Sequence, residues 1–266
     1  MTSDDVGLLM QCGHVIVFPC RRGAFATNRN DNMMTYALAA YGEYGEDEFE
    51  ALANVIKPGD VVLDVGANIG THSVAFASMV GNDGAVISFE PTLCTFNLLC
   101  ANIAFSGRQN IYPRRAIVGS ENAERTLPQV DHKQTANYGS INAKKMALGA
   151  AGGIPVPEMS IDAMQLSACN LIKIDVEGNE LDVLDGAKAT IAKHRPNLFV
   201  ECNDTTDPTE LLKFFHAREY KTYWVYNRYF RPNNFKGSTD AKEGRDRNIL
   251  AVRDAALAKG LTPCSQ

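Results

Sequence analysis

The sequence predicts an α/β fold in which a mostly parallel sheet is covered by helices on both faces. Three observations predict it. From Val61 onward, short runs of consecutive apolar residues alternate with segments of helical spacing, and such runs mark strands buried on both sides. The first run ends in a glycine-rich turn, and the second ends in an acidic residue followed by proline. Both features sit at strand ends, where open parallel sheets bind their ligands.

Taken in order, residues 1–45 precede the alternation and read as an extension packing on the core, with a small strand over His14–Phe18 and a loop rich in Asn and Asp. The main domain then spans 46–266. Strands are predicted at Val61–Val65, Ala85–Phe89, Asn110–Arg114, Leu171–Asp175, Asn197–Cys202, Tyr220–Tyr226 and Asn248–Arg253. Helices are predicted at Thr71–Val80 and Thr92–Ala104, along a stripe of Leu181, Leu184, Ala187 and Ile191, and from Asp207-Pro208 through Arg218. About 120–160 the periodicity fails around prolines and the Gly149–Gly153 run, so this stretch reads as an irregular insertion.

At 266 residues the chain fits one large domain that buries its core without staples. A formal net charge of −5 speaks against a nucleic-acid binder, which needs a concentrated basic face. The pairs Arg21-Arg22, Arg114-Arg115 and Lys144-Lys145 are expected as solvated surface. Seven cysteines without a C-x-x-C spacing indicate free thiols rather than a disulfide framework or zinc site. The acidic N-terminus lacks a signal-peptide pattern and no apolar run is long enough to span a bilayer. A soluble, cytoplasmic protein is expected.

The strongest local signal is the run Val61-Val62-Leu63-Asp64-Val65-Gly66-Ala67-Asn68-Ile69-Gly70. Gly66 and Gly70 would let a ligand approach the backbone, and the following helix start offers amide donors. In Phe89-Glu90-Pro91, Glu90 could accept hydrogen bonds from both ribose hydroxyls of a nucleoside. A nicotinamide dinucleotide turn fails here, because the third and sixth glycine positions hold Asn68 and Thr71. Architectural glycines and a solvated Glu90 are the bland alternatives.

The run D-V-G-A-N-I-G resembles the first motif of class I S-adenosylmethionine-dependent methyltransferases. The resemblance extends to the FkbM methyltransferase family over about Tyr41 to Tyr223. It is carried by Gly42-Glu43-Tyr44, Lys57-Pro58-Gly59-Asp60, Phe89-Glu90-Pro91, Ala116-Ile117-Val118-Gly119, Asn137-Tyr138-Gly139-Ser140, Lys173-Ile174-Asp175-Val176-Glu177-Gly178, and His194-Arg195-Pro196 leading to Val200-Glu201. It implies a seven-stranded class I sheet, S-adenosylmethionine as cofactor, and O-methylation of a hydroxyl on a sugar, polyketide or other small metabolite. Carried onto this chain, Asp64, Gly66, Asn68 and Gly70 would line the methionine end, Glu90 would hold the ribose, Ala116 with Ile117 would flank the adenine, and Pro91 would join the cofactor site. Glu43 would close over the cofactor, with a surface cap as its alternative role.

Asp175 at a strand end is the favoured contact to cofactor amine or acceptor hydroxyl, and Asp175, Glu177, His72 and Glu201 are all eligible as the base. An all-oxygen divalent-metal site on Asp175, Glu201 and Asn203 is the less favoured alternative, and helix capping by Asp175 and Glu177 is the structural one. The expected partner is a small-molecule or glycan acceptor. An N-methyltransferase on the same fold, or a silent cofactor-binding scaffold, remains the competing function. No segment from Ser120 to Ser160 or from Arg228 to Arg247 matches a pattern that would identify the acceptor.

Overall fold

The computed structural model describes residues 7–131, 133–140, 142, 146, 153–203 and 207–264. The first six residues, the Lys144-Lys145 pair and most of the Gly149–Gly153 run lie outside the described residues. Strands β1 (Met10–Cys12), β2 (Val15–Cys20) and β3 (Gly23–Asn28) form an antiparallel meander. One strand was expected here. The turn at Arg21-Arg22 and the small residues Ala24 and Ala26 hide β3 from a hydrophobicity pattern. Arg21 and Arg22, expected as solvated surface, are instead ion-paired to Glu43 and Glu46.

Helices α1 (Met34–Ala40) and α2 (Glu46–Leu52) lead into the alternating units: β4 (Val61–Val65), α3 (Thr71–Val80), β5 (Ala85–Phe89), α4 (Leu93–Ser106) and β6 (Ile111–Arg114). After β7 (Ile117–Val118), the expected irregular insertion contains two strands, β8 (Ala123–Leu127) and β9 (Ile154–Met159), in a small sheet of order β7-β9-β8. Pro155 and Pro157 disguised β9. They pair only with β8, because β7 meets β9 at Glu158 and Met159, so their missing N–H groups cost no ladder bond on the other side.

The chain continues through β10 (Leu171–Ile174), α5 (Glu180–Asp185), α6 (Lys188–His194), β11 (Asn197–Glu201), α7 (Thr209–His216), β12 (Lys221–Arg228), β13 (Arg245–Val252) and β14 (Thr262–Pro263). The helix predicted along Leu181 to Ile191 breaks at Gly186, where a β-carbon would stand 2.0 Å from the Gly119 carbonyl oxygen. Leu181, placed in the apolar stripe, is exposed.

The main sheet has the order β14-β12-β13-β11-β10-β4-β5-β6. Strands β6, β5, β4, β10 and β11 run parallel, and β13 is antiparallel to both β11 and β12. These are the seven predicted strands, extended by the two-residue edge strand β14. Neighbouring residues along each strand feed opposite cores. Val62, Leu171, Phe199 and Leu250 pack with α2, α3 and the N-terminal meander, whereas Leu63, Ile172, Leu198 and Ile249 pack with α5, α6 and α7. Burial on both faces explains the continuous apolar runs. On α4, the fully buried Asn102 donates to the carbonyls of Ala26 (2.9 Å) and Ile69 (2.8 Å) and accepts from the Ala26 N–H (2.6 Å), joining β3 to the glycine turn. Among the described residues no helix is long and apolar enough to cross a membrane.

Candidate active site

Strands β4 and β10 are adjacent, and successive strands run outward from them in opposite directions. Their carboxyl ends therefore open onto the crevice where such sheets bind ligands. A cleft of about 1320 Å³, its open mouth included, lies there. Gly66, Asn68, Glu90, Pro91, Ala116 and Ile117 line one half, and His72, Asp175, Glu177 and Glu201 reach the same cleft.

The turn after β4 is left-handed at Gly66 (φ 79°) and Asn68 (φ 50°). A β-carbon on Gly66 would stand 1.7 Å from the Asp175 carbonyl oxygen, so glycine is required there by the neighbouring strand. Glu90 accepts from the N–H groups of Asn68 (3.1 Å) and Thr92 (2.9 Å). Burial raises its pKa to about 7, and these two donors only moderate the rise. Beside it, Asn68 Oδ1 is buried with no hydrogen-bond partner among the described residues, and Gly139 packs on the same side chain. An orphaned acceptor beside an ordered carboxylate suits a ligand rich in N–H and O–H donors.

Three residues assigned to the cofactor by resemblance stand behind the cleft rather than in it. Asp64 is fully buried, where it accepts from Ser73 Oγ (2.6 Å) and faces Lys173 Nζ (3.4 Å). Gly70 begins α3 against Leu99, 2.6 Å from where its β-carbon would be. Glu43 accepts from Arg21 Nε and the Phe235 N–H, both at 2.8 Å, pinning the β12–β13 loop to the N-terminal segment.

On the other side, oxygens of Asp175, Glu177 and Glu201 all lie within 4.8 Å of one another. Lys173 Nζ sits 3.3 Å from Asp175 and donates to the Gly66 carbonyl at 2.8 Å. Burial opposes the charge on Lys173, but Asp175 and Asp64 outweigh it and raise its pKa. Burial, then the charges of Asp175 and Glu180, push Glu177 up to about 7. Burial, then the charges of Asp175 and Glu177, raise the pKa of Glu201. His72 Nε2 lies 2.5 Å from Glu48 Oε2, and Glu48 also accepts from Asn248 Nδ2 at 2.8 Å. That pairing commits His72 to holding α2 against α3. Asn203, offered as a metal ligand from sequence, does not line the cleft, and its carbonyl accepts from Arg247 at 2.7 Å. Glu177 takes its place in the carboxylate group.

Sequence reasoning missed Lys173 and the cluster in which Tyr44 (2.7 Å) and Tyr229 (3.0 Å) both donate to Asp246. A lysine inside the otherwise apolar run Leu171–Ile174 was the available signal for the first. Nothing in the 228–247 segment announced the second.

The strand order, the reversed β13 and the glycine turn over a strand-end acid define a class I methyltransferase. The chain belongs to the FkbM methyltransferase family: the sequence model of the Methyltransferase FkbM domain matches residues 64–222. A curated relative, the hexuronic acid methyltransferase AglP of Haloferax volcanii, is 28% identical over 187 residues, covering 66% of this chain and 70% of the relative. The crystal structure of precorrin-6y C5,15-methyltransferase from Geobacter metallireducens superposes with a TM-score of 0.50 at 12% identity, over 76% of this chain and 85% of that one. It shares the fold. Methyltransferase FkbM from Methylobacillus flagellatus aligns with 84% of this chain at 17% identity and a TM-score of 0.45, and this chain spans 55% of its length.

Proposed function

We propose that the chain is an S-adenosylmethionine-dependent O-methyltransferase acting on a hydroxyl of a sugar, polyketide or other small metabolite. The observation that carries this reading is the two-ended cleft: a donor-seeking end at Glu90 and Asn68, and a carboxylate end at Asp175, Glu177 and Glu201. The relative named for hexuronic acid supports a sugar-like acceptor.

When bound, S-adenosylmethionine supplies an electrophilic methyl group whose bond to sulfur breaks, leaving a neutral thioether, as the acceptor oxygen bonds to carbon. Glu90 accepts from the ribose hydroxyls, Asn68 Oδ1 takes a further donor, and Pro91, Ala116 and Ile117 pack the base. Lys173 fixes Asp175 in place, so Asp175 orients the acceptor hydroxyl or the cofactor amine. Glu177 has no cation partner within ion-pair distance among the described residues, and its pKa of about 7 matches a base working near neutrality. It takes the hydroxyl proton as oxygen attacks. Positioning within this wall contributes the remainder of the rate.

Incubation with methyl-labelled cofactor and a panel of hydroxylated acceptors tests this reading, with the methylated atom located by NMR. Methyl on nitrogen makes the chain an N-methyltransferase, and cofactor binding with no transfer makes it a scaffold. The three close carboxylates also favour a divalent cation bound there. Loss of turnover in EDTA and its return with magnesium would support that second reading.

A further inference from the structure

We infer that the acceptor end of this cleft selects an uncharged polyhydroxylated acceptor and discriminates against the same sugar bearing a carboxylate. This deepens the proposed O-methyltransferase reading and rests on it. The cleft is lined by six acidic side chains: Glu48, Glu90, Asp175, Glu177, Glu201 and Asp246. Among the described residues its only basic lining groups are His72 and Lys173, and both are committed. His72 faces Glu48 at 2.5 Å, and Lys173 is shared by Asp64, Asp175 and the Gly66 carbonyl. No arginine fork faces the cleft from any described lining residue, although bidentate arginine is the usual recognition device for a carboxylate.

The arrangement suits hydroxyl donors. Asp246 is held by Tyr44 and Tyr229, so both phenol protons point inward at an acid. The charged side chains an incoming carboxylate would meet at this end are all acids: Asp175, Glu177 and Glu201. A hydroxyl offers those oxygens a proton, whereas a carboxylate offers a like charge in a partly desolvated site. At separations of several ångströms and intermediate dielectric, that repulsion amounts to at least about tenfold in kcat/KM.

The test uses methyl glucoside, methyl glucuronide and the methyl ester of that glucuronide as acceptors, with turnover measured in EDTA and again with magnesium. The expected result at pH 8 is comparable kcat/KM for the glucoside and the ester, with the glucuronide at least about tenfold lower. That gap should narrow at higher salt and in Glu177→Gln, which removes one of the facing charges, and there the ratio between acceptors is read rather than the absolute rate. Equal or preferred turnover of the glucuronide at pH 8, with or without magnesium, overturns the charge rule and leaves the O-methyltransferase reading standing. A glucuronide disadvantage shared by its ester overturns the rule too, because the cause is then size. Failure of every sugar and every other hydroxylated acceptor overturns the O-methyltransferase reading itself, and the charge rule with it.

Discussion

Removing the ammonium group of Lys173 should cost more stability than any other single change at the cleft. Lys173 is buried between Asp64 at 3.4 Å and Asp175 at 3.3 Å, and Asp64 has no solvent exposure. In Lys173→Met the methionine fills the stem's space, but Asp64 is left buried without its cation and the Gly66 carbonyl loses its 2.8 Å donor. Breaking a buried pair in this way costs about 3–5 kcal/mol, and the lost hydrogen bond overlaps with that figure rather than adding to it. Against a total stability of about 5–15 kcal/mol, the midpoint temperature should fall by roughly 10 °C. Urea unfolding followed by circular dichroism measures the loss as a shift in midpoint at unchanged slope. The double variant Lys173→Met/Asp64→Asn removes both charges and should recover at least half of it. Because the pKa of Lys173 is raised above 10.5, its contribution is complete below that pH and is lost only as pH climbs through the higher folded value. The deficit should therefore stay constant from about pH 6 to 9. A single variant within about 1 kcal/mol of the parent, or a double variant no more stable than the single, would refute the reasoning.

Glu90 binds its proton more tightly folded (about 7) than at its ordinary 4.5, so its contribution is present below pH 4.5 and lost as pH rises through 7. Ligand-free stability should fall over that window by up to about 1.4 kcal/mol per pH unit for this group, and Glu90→Gln should flatten the slope in pH-dependent unfolding. Glu90→Ala should weaken S-adenosylhomocysteine binding about tenfold or more by calorimetry, and unchanged affinity in a folded variant would remove Glu90 from the ribose site. Glu177→Gln should lower turnover by about 10²–10⁴ with little change in cofactor affinity. The wild-type rate should drop as pH falls below 7, so a rate flat down to pH 5.5 counts against Glu177 as base. Glu43→Gln should lower thermal stability through its contacts to Arg21 and the Phe235 N–H, leaving cofactor affinity unchanged, and a matching loss of affinity would return Glu43 to the cofactor site.

Strand positions were legible because a strand buried on both faces writes itself as a nearly continuous apolar run, interrupted only by Asp64 in Val61–Val65 and only by Lys173 in Leu171–Ile174. The glycine turn and Glu90 were legible for a related reason: few residue types tolerate φ 79° beside a carbonyl, and few acids end a buried strand. Position in the chain did not reveal depth. Asp64 on β4 and Asp175 at the end of the adjacent β10 belong to similar motifs, yet one is fully buried behind the cleft and the other lines it. Strand β9 was hidden by Pro155 and Pro157 and β8 by its charged pair Glu124-Arg125, and the Asp246 cluster was hidden because its members, Tyr44, Tyr229 and Asp246, meet only through tertiary packing.

The bond between Asn102 and Ala26 joins residues 76 positions apart. During synthesis the N-terminal hairpin emerges with the backbone groups of Ala26 unmatched, and its partner follows only after the glycine turn has itself been made. Until α4 docks, both the hairpin edge and the Ile69 carbonyl await the same side-chain amide. The ligand turn is therefore completed late and in one step with the docking of the N-terminal segment. Amide exchange at Ala26 should accordingly track that of α4 rather than that of its own hairpin, and a chain begun at Asn30 would leave Asn102 without its two Ala26 bonds directly behind the turn.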